Sequence, residues 1–266
     1  MTPEPLDLIV DVGNSRSKLA LFQGSKVIRA GVFNDLNMDV ISTIIDDLPV
    51  RAVALGSVAR PDPDLEELLN ARFRTFRLTG QSPSPLRVVY DTPATLGVDR
   101  LANAVAASSM FPSRSVVAID IGSCITYDLV TALHGFEGGI ISPGPGIRAR
   151  AMHAYSARLP LVDPAPNVPL IGRSTATALS AGVFHGVRCE ILGLVEALRQ
   201  QVDDLAVVLT GGGALPYIRT LKIGIFADPL LTLRGLHALL LHQIPIARGA
   251  GAGPNVGLAS DPSAGK

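Results

Sequence analysis

The stretch L-I-V-D-V-G-N-S-R-S-K-L-A-L-F, residues 8–22, ends an apolar run with a carboxylate, Asp11, and follows it with a glycine and a serine. Residues 116–130, V-V-A-I-D-I-G-S-C-I-T-Y-D-L-V, repeat this arrangement around Asp120. Each stretch is typical of two short strands joined by a polar, glycine-containing turn. The repeat predicts that the molecule is built from two similar halves.

Length and composition agree with two halves. A single core stops growing at roughly 250 to 300 residues and typical domains have about 100 to 150, so a chain of 266 residues fits two domains. Hydrophobic residues make up 47% of the chain and charged residues 17%. This composition supplies a packed core and differs from that of disordered proteins.

The charge balance excludes some partners. Acidic and basic residues number 23 each, so no long-range field attracts nucleic acid or an anionic membrane. The N-terminus lacks the pattern of a secretory signal, and no uninterrupted apolar run approaches the ~20 residues that cross a bilayer. We expect a cytoplasmic protein that binds neither nucleic acid nor membrane. Cys124 and Cys189 are too few for a disulfide framework, and we expect them to be buried free thiols.

Periodicity and turn residues give a coarse order of elements. In the first block we expect an antiparallel meander of strands at residues 6–12, 18–22 and 27–33, and a further strand at 52–58. We expect helices at residues 40–46 and 63–71. In the second block we expect strands at 115–121, 125–130 and 206–210 and a long amphipathic helix at 175–199. We place an N-terminal domain at residues 1–112 and a C-terminal domain at 113–246. Residues 247–266 lack periodicity, and we expect a disordered tail.

The repeated turns suit phosphate binding. A glycine after a strand lets the backbone approach a ligand closely, and the turn's amides and hydroxyl can surround phosphate oxygens. The carboxylate at the strand end can hold Mg²⁺ directly or through water. A single copy could equally be an ordinary hairpin with a solvated acid. Two copies favour two facing turns that grip a nucleotide.

Other phosphate-binding motifs are missing from the sequence. No G-x-x-x-x-G-K-[ST] occurs, and G-A-G-A-G-P lacks a preceding strand, so it fails the context of a dinucleotide-binding motif. A third glycine cluster, V-V-L-T-G-G-G-A-L-P, follows a predicted strand and precedes a helix. It could be a plain strand-to-helix turn, but beside the other two turns we favour a flat backbone surface against adenine or ribose.

Seven motifs together resemble one family. They are D-V-G-N-S-R-S-K, Y-D-T-P, G-V-D-R, D-I-G-S-C-I-T, G-G-I-I-S-P-G, L-P-L-V with I-G-R-S-T, and T-G-G-G. Their order and approximate spacing, from about residue 7 to about residue 242, are similar to those of type III pantothenate kinases. That family belongs to the acetate-kinase, sugar-kinase, Hsp70 and actin superfamily. The resemblance implies an α/β fold of two ribonuclease-H-like domains around a nucleotide cleft.

The resemblance also implies roles for single residues. The first ATP-phosphate loop would comprise Asp11, Val12, Gly13, Asn14, Ser15, Arg16, Ser17 and Lys18, with Asp11 near Mg²⁺ and bound to it indirectly. Ser123 would bind the phosphates from the other side, and Asp120 would be the ligand of a monovalent cation, K⁺ or NH₄⁺. The pantothenate contacts would be Tyr90, Gly97, Val98, Asp99, Arg100 and Thr175, with Asp99 as the general base.

The implied reaction is ATP-dependent phosphorylation of pantothenate to 4′-phosphopantothenate, the first step of coenzyme A biosynthesis. A carboxylate within hydrogen-bond reach of the attacking hydroxyl can orient it and accept its proton, and positioning with charge neutralisation supplies most of the rest. The family resemblance further implies a homodimer with pantothenate and the cation near the subunit interface.

Some residues have a second interpretation. Residues 98–110 form a good helix, and an acid such as Asp99 is favoured in its first turn whatever its function. Arg100 could pair with the substrate carboxylate or hold the loop. Lys18 and Asp128 have no clear individual role and are expected to be surface or hairpin residues.

The sequence departs from the family in both loops. Ser15 and Ser123 stand where threonine is common, and because the hydroxyl survives we expect modest effects on nucleotide affinity. Cys124 and Ile125 replace smaller or polar residues, which leaves the phosphate geometry of that loop open.

Two other functions compete with pantothenate phosphorylation. One is a kinase of the same fold for another small alcohol or sugar, and Tyr90, G-V-D-R and Thr175 argue against it. The other is a non-catalytic regulator of transcription, against which the intact acids at 11, 99 and 120 and the lack of a basic patch argue.

Overall fold

The structure is a computed structural model that describes residues 5–58, 62–166 and 168–244. The predicted tail at residues 247–266 lies outside the described residues. The described residues form two five-stranded sheets with helices around and between them.

The first sheet comes from the N-terminal part of the chain. Its strands lie in the order β3-β2-β1-β4-β5. The strands β1, β2 and β3 form an antiparallel meander, and β4 and β5 run parallel to β1. The elements of this part are β1 (Leu6–Val12), β2 (Ser17–Gln23), β3 (Lys26–Phe33), α1 (Met38–Ile45), β4 (Val50–Ser57), α2 (Pro63–Arg72), β5 (Thr75–Leu78) and α3 (Val98–Met110).

The second sheet has the same topology, strand for strand. Its order is β10-β9-β6-β7-β8, again with an antiparallel meander and two further parallel strands. The elements of this part are β6 (Val116–Ile121), β7 (Cys124–Thr131), β8 (Gly135–Pro143), α4 (Pro145–Ala154), α5 (Thr175–Arg199), β9 (Ala206–Thr210), α6 (Leu215–Ile218), β10 (Phe226–Ala227) and α7 (Leu231–Gln243). Two ribonuclease-H-like sheets are therefore present, and the predicted α/β class and internal repeat are confirmed.

Local sequence sets the helix starts. The Asn37 side chain accepts from the Val40 amide at 3.0 Å and caps α1. Asp62 caps α2 by accepting from the Leu65 amide at 3.1 Å. Ser174 and Thr177 form a reciprocal capping box at the start of α5. Each cap satisfies backbone donors that the first helical turn leaves free.

The helices pack in three layers that alternate with the sheets. One apolar core joins α1 and α2 to the outer face of the first sheet, and a second joins α5 and α6 to the outer face of the second sheet. The third core contains α3 and α7 together with the inner faces of both sheets. The helices α3 and α7 therefore form a middle layer between the two sheets.

Strand alternation decides which side chains face this middle layer. Ile9 of β1 belongs to the middle core, whereas Leu8 and Val10 belong to the outer one. Because side chains alternate along a strand, Asp11 lies on the same face as Ile9. Asp120 shares the face of Ala118 by the same argument. Both repeated carboxylates thus face the middle layer from opposite sides.

The structure corrects several details. The predicted order of elements lacks β5, β8, β10, α4 and α7. Cys124 and Cys189 are free, as expected, but both are exposed rather than buried, because Cys124 follows the turn of a hairpin and Cys189 lies on the outside of α5. The division at residue 112 stays a prediction, and α7 packs against α3 and the first sheet.

Within the part of the chain that the structure describes, one helix meets the length and hydropathy criteria for crossing a membrane. It is α5, whose best 18-residue window has a mean hydropathy of 1.3. Its buried side chains, including Phe184, Val187 and Ile191, pack into the core of the second sheet. This packing is typical of a core helix.

Candidate active site

Three carboxylates converge where the two sheets meet the middle layer. Asp11 lies at the end of β1, Asp120 lies near the end of β6, and Asp99 lies in the first turn of α3. Each is close enough to another for its charge to raise the neighbour's pKa. The fold therefore brings together three acids that the sequence analysis selected from separate motifs.

Burial dominates the electrostatics of this group. Burial raises the pKa of Asp11 to about 7, an increase that Lys18 opposes and that Asp99 and Asp120 support. Burial likewise raises the pKa of Asp99 and of Asp120 above their ordinary values. Buried carboxylates without full charge compensation favour binding of a proton or a cation.

Lys18 is the cation that faces this group. It pairs with Asp11 in the β1–β2 register, so both side chains lie on one face of the hairpin. Its charge lowers the pKa of Asp11, Asp99 and Asp120. The prediction of a hairpin residue without a role was therefore incomplete, because Lys18 provides charge at the site.

The two repeated turns touch each other. The hydroxyl oxygens of Ser15 and Ser123 lie 2.9 Å apart. The serines sit in the turns after β1 and β6, whose strands flank the middle layer from opposite sides. The geometry that the repeat predicted, two facing glycine turns, is therefore present.

The glycine cluster after β9 completes the same region. A Cβ atom on Gly211, which has a φ of +95°, would lie 2.3 Å from Asp120 Oδ1. A Cβ on Gly212 would lie 2.6 Å from a terminal nitrogen of Arg16. Glycine is thus required at 211, and the Arg16 side chain reaches from the first turn to this third turn.

Arg100 is buried and paired with two side chains. Its Nε donates to Asp128 Oδ1 at 2.7 Å, one terminal nitrogen donates to the Tyr90 hydroxyl at 3.2 Å, and only 5% of the residue is exposed. The structure shows Arg100 in a structural ion pair, while one terminal nitrogen, Nη2, has no hydrogen-bond partner within the described part of the chain; the predicted contact with the substrate carboxylate stays a prediction. Asp128 was expected to be a surface or hairpin residue. It lies in the β6–β7 hairpin, but it is fully buried, where it compensates this guanidinium, so the surface position was wrong.

The remaining predicted substrate residues are spread out. Gly97 caps α3, and Val98 is buried in the middle core. Thr175 is exposed at the start of α5 and lines an open groove of about 570 Å³ with Met152, Leu159 and other residues. Among the described residues, no hydrogen bond links Thr175 to Asp11, Asp99 or Asp120.

The sequence analysis missed two polar residues behind Asp120. The Asn103 side chain of α3 donates to Asp120 Oδ2 at 3.2 Å, and the Thr232 hydroxyl of α7 donates to Asn103 Oδ1 at 2.9 Å. Both residues are buried. The sequence could have indicated Asn103, because it is a polar residue in a largely apolar part of a predicted helix. It could not have indicated Thr232, which lies 129 positions from Asn103 and is in no local motif.

Oxygen donors at the site fit a hard cation. Asp120 and Thr210 are register partners on neighbouring strands, and the buried Thr210 hydroxyl has no hydrogen-bond partner in the structure. Oxygen ligands suit Mg²⁺ and K⁺, whereas the residues described contain no cluster of three or more His, Cys, Asp or Glu side chains able to hold a metal. Any cation here would therefore depend on one or two carboxylates together with other oxygens.

The two matching sheets and the facing glycine turns define an α/β fold of the sugar-kinase and actin type. A family model described as type III pantothenate kinase matches residues 7–197. A type III pantothenate kinase of Bacteroides fragilis is 36% identical over 240 residues, which cover 88% of this chain and 97% of the relative. One from Phocaeicola vulgatus is 36% identical over 239 residues, which cover 90% and 99%. The chain belongs to the type III pantothenate kinase family.

Solved structures support the fold. A Campylobacter jejuni protein assigned to a Baf family of transcriptional activators matches with a TM-score of 0.56 and 22% identity, covering 88% of this chain and 97% of that one. An ethanolamine utilization protein of Carboxydothermus hydrogenoformans matches with a TM-score of 0.50 and 14% identity, covering 89% and 90%. At these identities the likeness concerns the fold alone.

Proposed function

We propose that this protein transfers the γ-phosphoryl group of ATP to the primary hydroxyl of pantothenate, giving 4′-phosphopantothenate in the first step of coenzyme A biosynthesis. One observation carries the proposal beyond family membership: Asp11, Asp99 and Asp120 converge beside two turns whose serine hydroxyls touch. This arrangement supplies a base, cation ligands and phosphate donors in one place.

Asp99 is the proposed general base. Its Oδ1 accepts the Arg100 amide at 2.9 Å, which holds the carboxylate in one orientation. Burial raises the pKa of Asp99, and a higher pKa makes the carboxylate a better acceptor for the proton of the attacking hydroxyl. Asp99 thereby orients the hydroxyl and takes its proton as the bond to phosphorus forms.

The two turns and Lys18 are the proposed phosphate-binding groups. Residues 11–18 offer backbone amides and the Ser15 hydroxyl from one half, and Ser123 offers a hydroxyl from the other. Because these hydroxyls lie 2.9 Å apart, both can reach the oxygens of one phosphate group, to which they would donate in place of the hydrogen bond between them. The Lys18 charge faces the carboxylates and partly offsets their repulsion of the phosphates.

Asp11 and Asp120 are the proposed cation residues. Asp11 would hold Mg²⁺ through water, and Asp120 would hold K⁺ or NH₄⁺. When bound, these ions would neutralise phosphate charge during transfer. Asn103 fixes the Asp120 carboxylate, and the raised pKa values of both acids are consistent with a need for cations.

We also propose a cytoplasmic homodimer. Tyr155, Leu170 and Ile171 are exposed on the connection between α4 and α5, close in sequence to the groove that contains Thr175. Exposed apolar patches are typical of a subunit interface, and Leu170 and Ile171 are neighbours in the sequence. Thr175 would then complete the pantothenate site at that interface.

A coupled ADP-release assay with ATP, Mg²⁺ and K⁺, with and without pantothenate, tests the proposed function. We expect ADP release that depends on pantothenate. A panel of other small alcohols and sugars tests the same-fold kinase alternative, and DNA binding without any phosphorylation would indicate a regulator. Family membership favours neither alternative.

A further inference from the structure

A polar cluster behind the second phosphate loop links four elements of the second half. We call Tyr127, Ser142, Arg148 and Glu190 the α5 hub; they lie on β7, β8, α4 and α5 respectively. The Glu190 carboxylate accepts from the Tyr127 hydroxyl at 2.8 Å through Oε1 and from the Ser142 hydroxyl at 3.0 Å through Oε2, and it forms an ion pair with Arg148. Both carboxylate oxygens are therefore committed within the hub.

Arg148 connects the hub to the end of β8. Its Nε donates to the Pro143 carbonyl at 2.8 Å, and a terminal nitrogen donates to the Ser142 hydroxyl at 2.8 Å. Pro143 is the register partner of Cys124, the residue that follows Ser123. The guanidinium thus fixes the strand end that lies beside the phosphate loop.

Gly144 connects the end of β8 to the loop that contains Ser123. Its amide donates to the Ser123 carbonyl at 2.9 Å. A Cβ on Gly144 would lie 2.3 Å from the Gly122 carbonyl oxygen and 2.5 Å from that of Ser123. The two backbones are in direct contact, so a shift of residues 142–144 must also shift the loop.

The hub is partly shielded from solvent and charged. Side-chain exposure is 23% for Arg148 and 22% for Glu190. Burial alone would raise the pKa of Glu190, but hydrogen bonds from Arg148, Tyr127 and Ser142 lower it below its ordinary value. Glu190 is therefore ionised at neutral pH and holds its donors firmly. In the residues described, no hub hydrogen bond reaches Asp11, Asp99 or Asp120.

We propose that Glu190 and Arg148 are positioning residues that hold the second phosphate loop in its ATP-binding shape. The proposal rests on the proposed function in one respect, namely that the loop containing Ser123 binds ATP phosphates. If it is correct, ATP affinity depends on the ion pair between Arg148 of α4 and Glu190 of α5, which lies away from the reacting groups.

The test is ATP binding by calorimetry, with Mg²⁺ and without pantothenate, followed by steady-state kinetics. For Glu190→Ala we expect the Kd and the KM for ATP to rise about tenfold, because a displaced loop loses phosphate contacts, while kcat at saturating ATP stays within about twofold. The matched control is Glu196→Ala, which removes an exposed acid from the same helix and should leave both values unchanged.

Two further variants keep the test decisive if Glu190→Ala folds poorly. Ser142→Ala removes only a bridging hydroxyl and should raise the Kd for ATP by about threefold, since it removes fewer hub contacts. Adding Glu190→Ala to Arg148→Ala should weaken ATP binding no further, because residues that act as one unit are not additive. Each folded variant is compared with the wild-type melting temperature.

The outcomes separate this inference from the proposed function. A wild-type protein that binds ATP no better than its hub variants, or variants that lose thermal stability but keep the wild-type Kd, would overturn the positioning role. A wild-type protein that binds no ATP would overturn the phosphate-loop assignment and with it the proposed function.

Discussion

The Asp99 side chain is the single group on which the proposed proton transfer depends. The Asp99→Asn change keeps the shape of the side chain and an oxygen for the Arg100 amide, now 2.9 Å from Oδ1, so this variant should fold and bind ATP. An amide accepts no proton at neutral pH, and kcat should fall by about 10²- to 10⁴-fold. Steady-state kinetics with an ATP-binding control measure this. Near wild-type kcat would remove Asp99 as the base.

Asp11 makes the stability of the ligand-free protein depend on pH. Burial raises its pKa from 3.8 to about 7, so the folded state binds the proton more tightly than the unfolded state does. The free energy of unfolding should therefore fall as the pH rises between these two values and change no further above about 7 from this group.

Asp11→Asn removes this penalty. The variant should melt at a higher temperature than the wild type at pH 8, with a smaller difference at pH 5, in chelator-treated protein without nucleotide. Asp203→Asn, which changes an exposed acid, should show no such trend. A difference between Asp11→Asn and the wild type that is equal at both pH values would contradict the assignment.

At the scale of elements, α7 is held to the first sheet by a buried polar contact. His237 Nε2 lies 3.0 Å from Asp7 Oδ2 and its ring stacks on Phe22 with centroids 4.2 Å apart. Arg51 also donates to Asp7, from Nε at 2.9 Å and from a terminal nitrogen at 2.5 Å. This contact joins a late helix to the first strand of the chain.

Removing the Asp7 charge should loosen α7. Asp7→Asn leaves buried donors poorly paired and should lower the free energy of unfolding by about 1–3 kcal/mol, measured in urea. Burial alone would raise the pKa of Asp7, but His237 and Arg51 lower it, so the stabilisation is present above about pH 4 and is lost as the pH falls through the folded-state pKa. Asp46→Asn, in an ion pair whose acid side chain is 69% exposed, should cost less than about 0.5 kcal/mol.

The elements that sequence patterns predicted are short apolar runs bounded by turns and helices with clear start signals. The strands β1, β2, β6 and β9 are almost fully buried, and α2 and α5 begin at side-chain caps. The sequence analysis did not predict the helix α7. This helix is buried on most sides between the two sheets, so it has no amphipathic stripe, and it lacks a capping side chain at its start. The strand β8 is rich in glycine, the helix α4 begins with Pro145 and Gly146, and both bury few side chains.

The residues of the candidate site also differ in whether the sequence alone could indicate them. Asp11, Asp99, Asp120 and the glycine turns lie in local motifs, so the sequence could indicate them. Thr232 and the α5 hub act through partners on distant elements, and Asp128 is buried only because Arg100 lies opposite it. Such pairings depend on tertiary structure, which a single sequence does not show.

At the scale of the whole molecule, the repeated topology explains the repeated motif. The same strand order on both sides of one helical layer brings the ends of β1 and β6 together. Two hairpins that are distant in sequence therefore become two facing loops. A nucleotide held between them would contact both halves at once, so its binding should stabilise the arrangement of one half relative to the other.

The association of two such molecules is the prediction at the largest scale. Ile171 is 76% exposed and Leu170 69% exposed, which is costly in water unless another surface covers them. Light scattering should give about twice the 27.8 kDa mass of the chain. Ile171→Asp should shift the protein toward the monomer, because an interface charge loses its hydration without a partner. Val32→Asp, at a 55% exposed position on β3 of the other half, should leave the dimer intact, and a wild-type monomer at micromolar concentration would reject the homodimer.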